Sequence, residues 1–130
     1  MGNAPDPAVL RLIRLSLLFG VLAFGAVAYF TQAQRQPSLE PGLHDALRLA
    51  VFALSGAVVI AAFVFRTLRA RAAGPASVAS TTIIAWAVGE APAILGAVVY
   101  FLSGDAQPFL IGVAAFVLML VAVPLPDGGA

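Results

Sequence analysis

The sequence predicts an all-α integral membrane protein, a four-transmembrane-helix bundle that forms a single membrane domain. Of its 130 residues, 62% are hydrophobic and 10% are charged, whereas soluble domains are about 45–50% apolar and about 25% charged. The apolar residues form continuous runs, which are typical of buried helices and unlike the alternating strands of a membrane barrel. Four such runs, each about long enough to cross a bilayer, lie at residues 10–30, 46–65, 78–102 and 108–125.

The first run predicts a membrane span whose start carries two basic residues, Arg11 and Arg14. The same pattern, followed by Ala26-Val27-Ala28, also resembles a secretory signal with a small-residue cleavage site. We favour an uncleaved span, because the apolar run continues through Tyr29 and Phe30.

Helix-breaking residues separate the four runs and predict the connections. The last connection is short, so spans three and four are expected to form an antiparallel helical hairpin. The breakers are Gln36-Pro37, Glu40-Pro41-Gly42, Gly74-Pro75, Gly104-Asp105 and Gln107-Pro108.

The distribution of arginine predicts the orientation, because loops that are rich in Lys and Arg stay in the cytoplasm. Both termini and the connection between spans two and three are therefore expected inside. All seven basic residues are arginine, and alanine is abundant, which indicates a GC-rich bacterial genome. We expect a multi-pass protein of the bacterial cytoplasmic (inner) membrane, surrounded by the lipid bilayer. The inner-side arginines are Arg11, Arg14, Arg66, Arg69 and Arg71, and those outside are Arg35 and Arg48.

Several function classes are excluded or disfavoured by composition. The net charge of +1 does not provide the strongly basic face that nucleic-acid binding requires. The chain has no cysteine and one histidine, so it lacks cysteine or multi-histidine metal sites. A membrane enzyme would have only four polar outer-side residues to use, in no recognisable arrangement, so we expect no catalytic residue, cofactor or metal. Those residues are Glu40, His44, Asp45 and Asp105.

A short internal repeat joins spans one and three. The segments at residues 25–30 and 96–101, GAVAYF and GAVVYF, agree at five of six positions. A duplicated hairpin would place both copies at the same interface, with Phe19 as the counterpart of Glu90. Convergence on one packing solution is the alternative, because Gly, Ala and Val are common throughout the chain.

Glu90 is the first candidate functional residue. It lies about twelve residues from either end of span three and is the one ionisable side chain at that depth in the sequence. A charge there costs about 2.5 to 3.5 kcal/mol, so an intramembrane carboxylate usually faces the bundle interior and has a function. Two interpretations remain open: a proton or cation site, or an uncharged acid that hydrogen-bonds a neighbouring helix.

Two other residues complete this candidate site. Pro92 is expected to kink span three and free the carbonyl of Val88 near the carboxyl group. Ser55 lies at mid-depth in span two and is a candidate hydrogen-bond partner of Glu90. Alternatively, Ser55 bonds the carbonyl four residues back in its own helix.

Small residues form stripes on spans two and three, and such stripes let helix backbones approach closely. We therefore expect these two spans to pack together along the stripes. The residues involved are Ala53, Gly56, Ala57 and Ala61 on span two and Ala85, Gly89, Ala93 and Ala97 on span three.

Two further polar features have alternative interpretations. Trp86 would either cover the Glu90 carboxyl group or fill volume in the bundle or toward lipid, while its indole N–H needs an acceptor. His44 and Asp45 would form a pH-sensitive pair or a ligand site, or would be solvated residues at a helix start.

Residues 86–98, WAVGEAPAILGAV, resemble the carboxylate helix of the rotor-ring c subunit of rotary ATP synthases. The shared features are a mid-membrane acid among small residues and a following apolar stretch with glycine. The resemblance implies that Glu90 carries a proton or sodium ion and that the connection at 66–71 matches the family's cytoplasmic loop. Two features differ from the family: span two lacks its dense glycine repeat, and duplicated four-helix members carry the acid on their last helix.

The sequence thus favours a non-enzymatic accessory or structural subunit of a membrane assembly, either a homo-oligomer or part of a larger membrane complex. The alternative is proton or cation translocation through Glu90. Replacing Glu90 with Gln separates them, since the amide still hydrogen-bonds but carries no proton or charge.

Overall fold

The computed structural model describes residues 6–32 and 40–126, and within them it is all-helical, with no strand. Each helix begins at or beside a proline, which has no N–H to leave unpaired in the first turn. Arg35 and the Gln36-Pro37 breaker lie outside the described residues. The four helices are α1 (Pro7–Gln32), α2 (Pro41–Ala70), α3 (Pro75–Ser103) and α4 (Gln107–Ala122).

The four helices coincide with the four apolar runs, so the all-helical fold predicted from the sequence is confirmed. α2 extends five residues beyond the predicted run at each end, because its polar end residues are also helical. α1, α2 and α3 are long and apolar enough to cross a membrane. α4 is apolar but has 16 residues, which corresponds to about 24 Å at 1.5 Å per residue.

α3 is the central helix and contacts all three others, and its closest partner is α4. The two backbones approach so closely that glycine is needed at the crossing points. A Cβ on Gly112 would lie 2.6 Å from the carbonyl carbon of Pro92, and one on Gly96 would lie 2.6 Å from the carbonyl oxygen of Pro108. The predicted α3–α4 hairpin is therefore confirmed.

The core divides into two clusters on either side of this hairpin. One joins α2 to the hairpin and the other joins α1 to it, so α1 and α2 pack on different sides of the hairpin. The buried members of the first cluster are Val58, Ala62, Ala85, Ala115, Met119 and Val123. Those of the second are Val21, Trp86, Ala93, Phe116 and Leu120.

α1 runs parallel to α3, and the two repeat segments lie at the same end of the bundle. Gly25 and Gly96 both accommodate Phe109 at the start of α4: a Cβ on either would come within 2.7 Å of a Phe109 atom. At the same end, the Gln32 side-chain amide donates a hydrogen bond to the carbonyl of Phe101. The structure thus confirms the common end of the repeats and shows the packing role that their glycines share.

Candidate functional site

The carboxyl group of Glu90 lies at the surface of the bundle, in a crevice between α1 and α3. Its Oε1 is 3.9 Å from the position that a Cβ on Gly20 would occupy. The residue is half-buried, and no hydrogen bond or ion pair to it is found within residues 6–32 and 40–126. The carboxyl group therefore has no polar partner in the part of the chain that the structure describes.

Small, exposed residues lie within about one helical turn of Gly20 on α1 and of Glu90 on α3. Gly20 and Ser16 lie on the exposed surface of α1, and Ala87 and Ala91 lie on that of α3. Another helix can approach closely across a surface of such short side chains. We call this surface, formed by Ser16, Gly20, Ala87, Glu90 and Ala91, the carboxyl face.

Ser55 lies on the other side of the hairpin, in α2. The residue is only 5% exposed, and its Oγ has no hydrogen-bond partner. It lines a groove of about 390 Å³ between α2 and α4, which we call the serine groove. The groove is otherwise apolar and is lined by Phe52, Ser55, Gly56, Val59, Ile111, Ala114, Ala115 and Leu118.

Neither predicted hydrogen bond of Ser55 forms. The prediction of a Ser55–Glu90 contact is wrong for a single chain, because Glu90 lies beside α1 and Ser55 lines the groove between α2 and α4. The alternative bond to the carbonyl four residues back is also wrong, since Ser55 Oγ is unpaired. An unpaired buried hydroxyl group costs free energy that a hydrogen-bond acceptor would recover.

Pro92 does not join Glu90 in an open site. It is fully buried and its carbonyl group meets Gly112 of α4, whereas the carboxyl group of Glu90 lies beside Gly20 of α1. α3 is helical from Pro75 to Ser103, with Pro92 inside it. The structure therefore places Pro92 in the close α3–α4 contact, and the kink with a freed carbonyl of Val88 stays a prediction.

The small-residue stripe of α3 is buried as predicted, but its main partner is α4. All four of its members, Ala85, Gly89, Ala93 and Ala97, are buried, and a Cβ on Gly89 would lie 2.8 Å from Cβ of Met119. The reason is the short connection, which places α4 directly against α3.

The prediction for the stripe of α2 is corrected. Spans two and three do contact each other, but α2 uses Val58 and Ala62 for this contact, together with Ala85 of α3. The predicted stripe points mostly outward: Ala53, Gly56 and Ala57 are exposed and Ala61 is half-buried. Nothing lies within 4 Å of a Cβ built on Gly56.

Ser55 and Glu90 lie at the same depth although they lie on different sides of the bundle. Ser55 is fifteen residues before Ala70, and Glu90 is fifteen residues after Pro75. Since α2 and α3 are joined by the four residues 71–74 and both rise about 1.5 Å per residue, the two side chains share one level. Both lie close to the middle of their helices.

Trp86 fills core volume. The side chain is fully buried, and its indole N–H donates a 2.7 Å hydrogen bond to the carbonyl oxygen of Val123. Close by, the Arg69 guanidinium donates to the carbonyl of Pro124. These bonds fix the segment after α4 against the bundle, and of the two interpretations of Trp86 the structure supports the one in which it fills the bundle.

A polar cluster lies at the end of the bundle opposite the Trp86–Val123 hydrogen bond, and the sequence did not predict it. His44 Nε2 lies 3.0 Å from Asp105 Oδ2, Arg48 Nη1 lies 3.9 Å from the same oxygen, and Arg48 also donates to the side chain of Gln107. His44 therefore pairs with Asp105 and not with the adjacent Asp45. Among the described residues, no group of three or more His, Cys, Asp or Glu could hold a metal ion.

Sequence reasoning also missed Gly20 as the residue opposite the carboxyl group. The repeat contained the necessary signal, because its register pairs Phe19 with Glu90 and so places this part of α1 at the right depth. The His44–Asp105 pair had a weaker signal, namely that both residues lie beside connections at the predicted outer end.

Comparison of the chain with protein-family models, with curated proteins and with solved structures found no match.

Proposed function

We propose that this chain is a non-enzymatic integral membrane protein that acts as an accessory or structural subunit of a membrane assembly. The observation that carries the proposal is the half-buried carboxyl group of Glu90, which has no polar partner within residues 6–32 and 40–126. A polar group in hydrocarbon is costly unless it is hydrogen-bonded. A neighbouring polypeptide on the carboxyl face would supply the missing bond.

The outward stripe of α2 supports the same proposal. Ala53, Gly56 and Ala57 are exposed, and small exposed residues at this spacing are typical of surfaces where a second membrane helix packs. The chain thus has two surfaces suited to helix association, one on each side of the α3–α4 hairpin.

The proposed environment is the bacterial cytoplasmic membrane, crossed by all four helices with both termini inside. The support is the cluster of arginines at the α2–α3 connection together with Arg11 and Arg14 in the first turns of α1. These positions fit the positive-inside rule. A reporter active only in the cytoplasm, fused after Ala130, should be active, and a reporter inserted at the connection at 104–106 should be inactive. The reverse pattern would contradict this topology.

Two variants of Glu90 test the subunit proposal. The tagged chain is extracted in a mild detergent, and its particle mass is measured by light scattering, with the bound detergent subtracted. We expect the wild-type chain and Glu90→Gln to give the same mass, larger than one chain, because the amide still hydrogen-bonds. We expect Glu90→Leu to shift toward the monomer. A monomeric wild type, or an unchanged Glu90→Leu, would contradict the proposal.

A second candidate function is proton or cation translocation through Glu90. The favouring observation is that the carboxyl group is accessible at the surface and lies at the middle of α3, which is also what the rotor-ring resemblance implies. In vesicles with a pH-sensitive dye inside, translocation requires flux that Glu90→Gln and Glu90→Leu both abolish. Loss of flux in Glu90→Gln with an unchanged particle mass would favour this function over a purely structural one.

A further inference from the structure

We infer that Glu90 of one copy enters the serine groove of a second copy, where its carboxyl oxygen accepts a hydrogen bond from the Ser55 hydroxyl group. This inference rests on the proposed subunit role and names the partner: a second copy of this chain. Each such contact would give a hydrogen-bond partner to the Ser55 hydroxyl group of one copy and to the Glu90 carboxyl group of the other.

Complementary hydrogen bonding is the first argument. Ser55 Oγ is buried without a partner, and the half-buried Glu90 has no polar partner in the described chain. A hydroxyl group donates and a carboxyl oxygen accepts. In hydrocarbon neither group can turn to water, so one bond satisfies both the Ser55 hydroxyl donor and one carboxyl oxygen of Glu90.

Equal depth is the second argument. Both residues lie fifteen positions from the α2–α3 connection, so two copies standing side by side with the same orientation bring the groups to one level. Lipids do not compete well for this position, because the centre of the bilayer contains acyl chains and no headgroup acceptors.

Shape is the third argument. The serine groove opens beside Gly56, where a built Cβ meets nothing within 4 Å, and the adjoining surface of α2 carries Ala53 and Ala57. The carboxyl face is also made of small residues around Glu90. Two such surfaces allow the close backbone approach that a side chain the length of Glu needs to reach a buried serine.

The two surfaces lie on different sides of the hairpin, so the contact is head-to-tail. Each copy presents its carboxyl face to one neighbour and its serine groove to another, which generates a closed ring or an open row instead of a two-fold dimer.

Cysteine cross-linking tests the contact, and the chain suits it because it contains no cysteine. Chains with Ser55→Cys and chains with Glu90→Cys are made with different tags, mixed in bilayers and treated with a bifunctional thiol reagent that has a short spacer. We expect a covalent dimer that carries both tags, and none when either variant is treated alone. The spacer is needed because a disulfide requires Cβ atoms about 3.5–4.5 Å apart, and a Ser–Glu hydrogen bond, with its heavy atoms about 2.7 Å apart, holds the two Cβ atoms farther apart than that.

A matched control uses Val117→Cys in place of Glu90→Cys. Val117 is 45% exposed in the middle of α4 but does not line the serine groove. If it cross-links to Ser55→Cys as well as Glu90→Cys does, the trapping is collisional and the inference is overturned. If neither pair cross-links while the wild-type mass still exceeds one chain and falls in Glu90→Leu, the subunit proposal stands and this inference fails.

Gly56→Leu provides a second test that leaves both polar residues in place. A Cβ at this exposed position meets nothing within 4 Å, so we expect the fold to be retained, while the longer side chain occupies the groove that Gly56 lines. We expect self-association in bilayers, measured by energy transfer between labelled chains, to weaken on the order of tenfold, or about 1.4 kcal/mol. Unchanged association in this variant would overturn the inference.

Discussion

α2 and α3 carry similar sequence patterns but bury them differently. Both are long apolar helices with a stripe of small residues and one polar residue near the middle. In α3 the stripe is buried against α4, and in α2 Ala53, Gly56 and Ala57 face outward. The comparison shows that a small-residue stripe predicts a close helix contact without identifying the partner. For α3 the partner is within the chain, and for α2 we propose a second copy.

The contrast is clearest at individual glycines. A Cβ on Gly112 would come within 2.8 Å of the Ala93 backbone, whereas a Cβ on Gly56 meets nothing within 4 Å. One glycine is required by the fold of a single chain, and the other is available to a neighbour. Substitutions on each side of the hairpin therefore have different expected effects on folding and on association.

The largest effect is expected for Gly112→Ala. The added methyl group collides with backbone atoms of α3, which cannot move aside as a flexible side chain would, so we expect a loss of about 3 kcal/mol of folding stability. Unfolding by SDS in mixed micelles, followed by circular dichroism, measures it. Gly56→Ala is the matched control and should be as stable as wild type or slightly more stable. Equal stability of the two variants would remove the distinction between α3 and α2.

A smaller loss is expected for Trp86→Phe. The ring volume is largely kept, but the carbonyl oxygen of Val123 loses its donor in a buried position, which costs about 1–3 kcal/mol. The same unfolding assay applies. Phe63→Leu serves as the control, because that side chain is 64% exposed on α2. A Trp86→Phe variant as stable as this control would show that the indole bond does not hold the end of the chain.

Gly20→Leu should affect association and leave folding intact. A side chain there covers the carboxyl group of Glu90, and the exposed position of Gly20 allows it space. We expect energy transfer between labelled chains to indicate association weakened on the order of tenfold, with unchanged unfolding. Ala26→Leu is the control, exposed on α1 but on a different face. Equal association of both variants would argue against the carboxyl face as an interface.

The smallest effect is expected for Asp105→Asn, which weakens the contacts to His44 and Arg48. The side chains of His44 and Asp105 are 26% and 22% exposed, and ion pairs that remain solvated contribute about 1 kcal/mol or less. Asp45→Asn is the control, because Asp45 is exposed at the same end. A loss of several kcal/mol in Asp105→Asn would show that this cluster is more important to the bundle than its exposure indicates.

The fold was largely predictable from the sequence because it depends on local patterns. Continuous apolar runs, prolines at the helix starts and the short connection at 104–106 were enough to predict the helices and the α3–α4 hairpin. α2 was predicted too short at both ends, because hydropathy does not identify polar end residues that are still helical.

The site was less predictable because it depends on the direction in which each side chain points. The sequence predicts that Ser55 and Glu90 lie at the same depth. It does not predict on which side of α3 the helices α1 and α2 pack. α1 packs beside Glu90, and α2 packs on the other side of the hairpin. The expected contact between Ser55 and Glu90 therefore does not form within one chain, and both side chains lack a polar partner among the described residues. The contact of Pro92 with α4 was likewise not predictable, because it depends on which helix packs against that side of α3.

The pairing of Glu90 with Ser55 can be tested through the infrared carbonyl band of the protonated Glu90 carboxyl group in bilayers, identified by its loss in Glu90→Gln. We expect a band position typical of a hydrogen-bonded acid, which shifts to higher frequency in Ser55→Ala and stays constant as the pH is raised through neutrality. A band that Ser55→Ala leaves unchanged would contradict the pairing of Glu90 with Ser55, and a band that disappears as the pH rises would support the ion-carrying alternative.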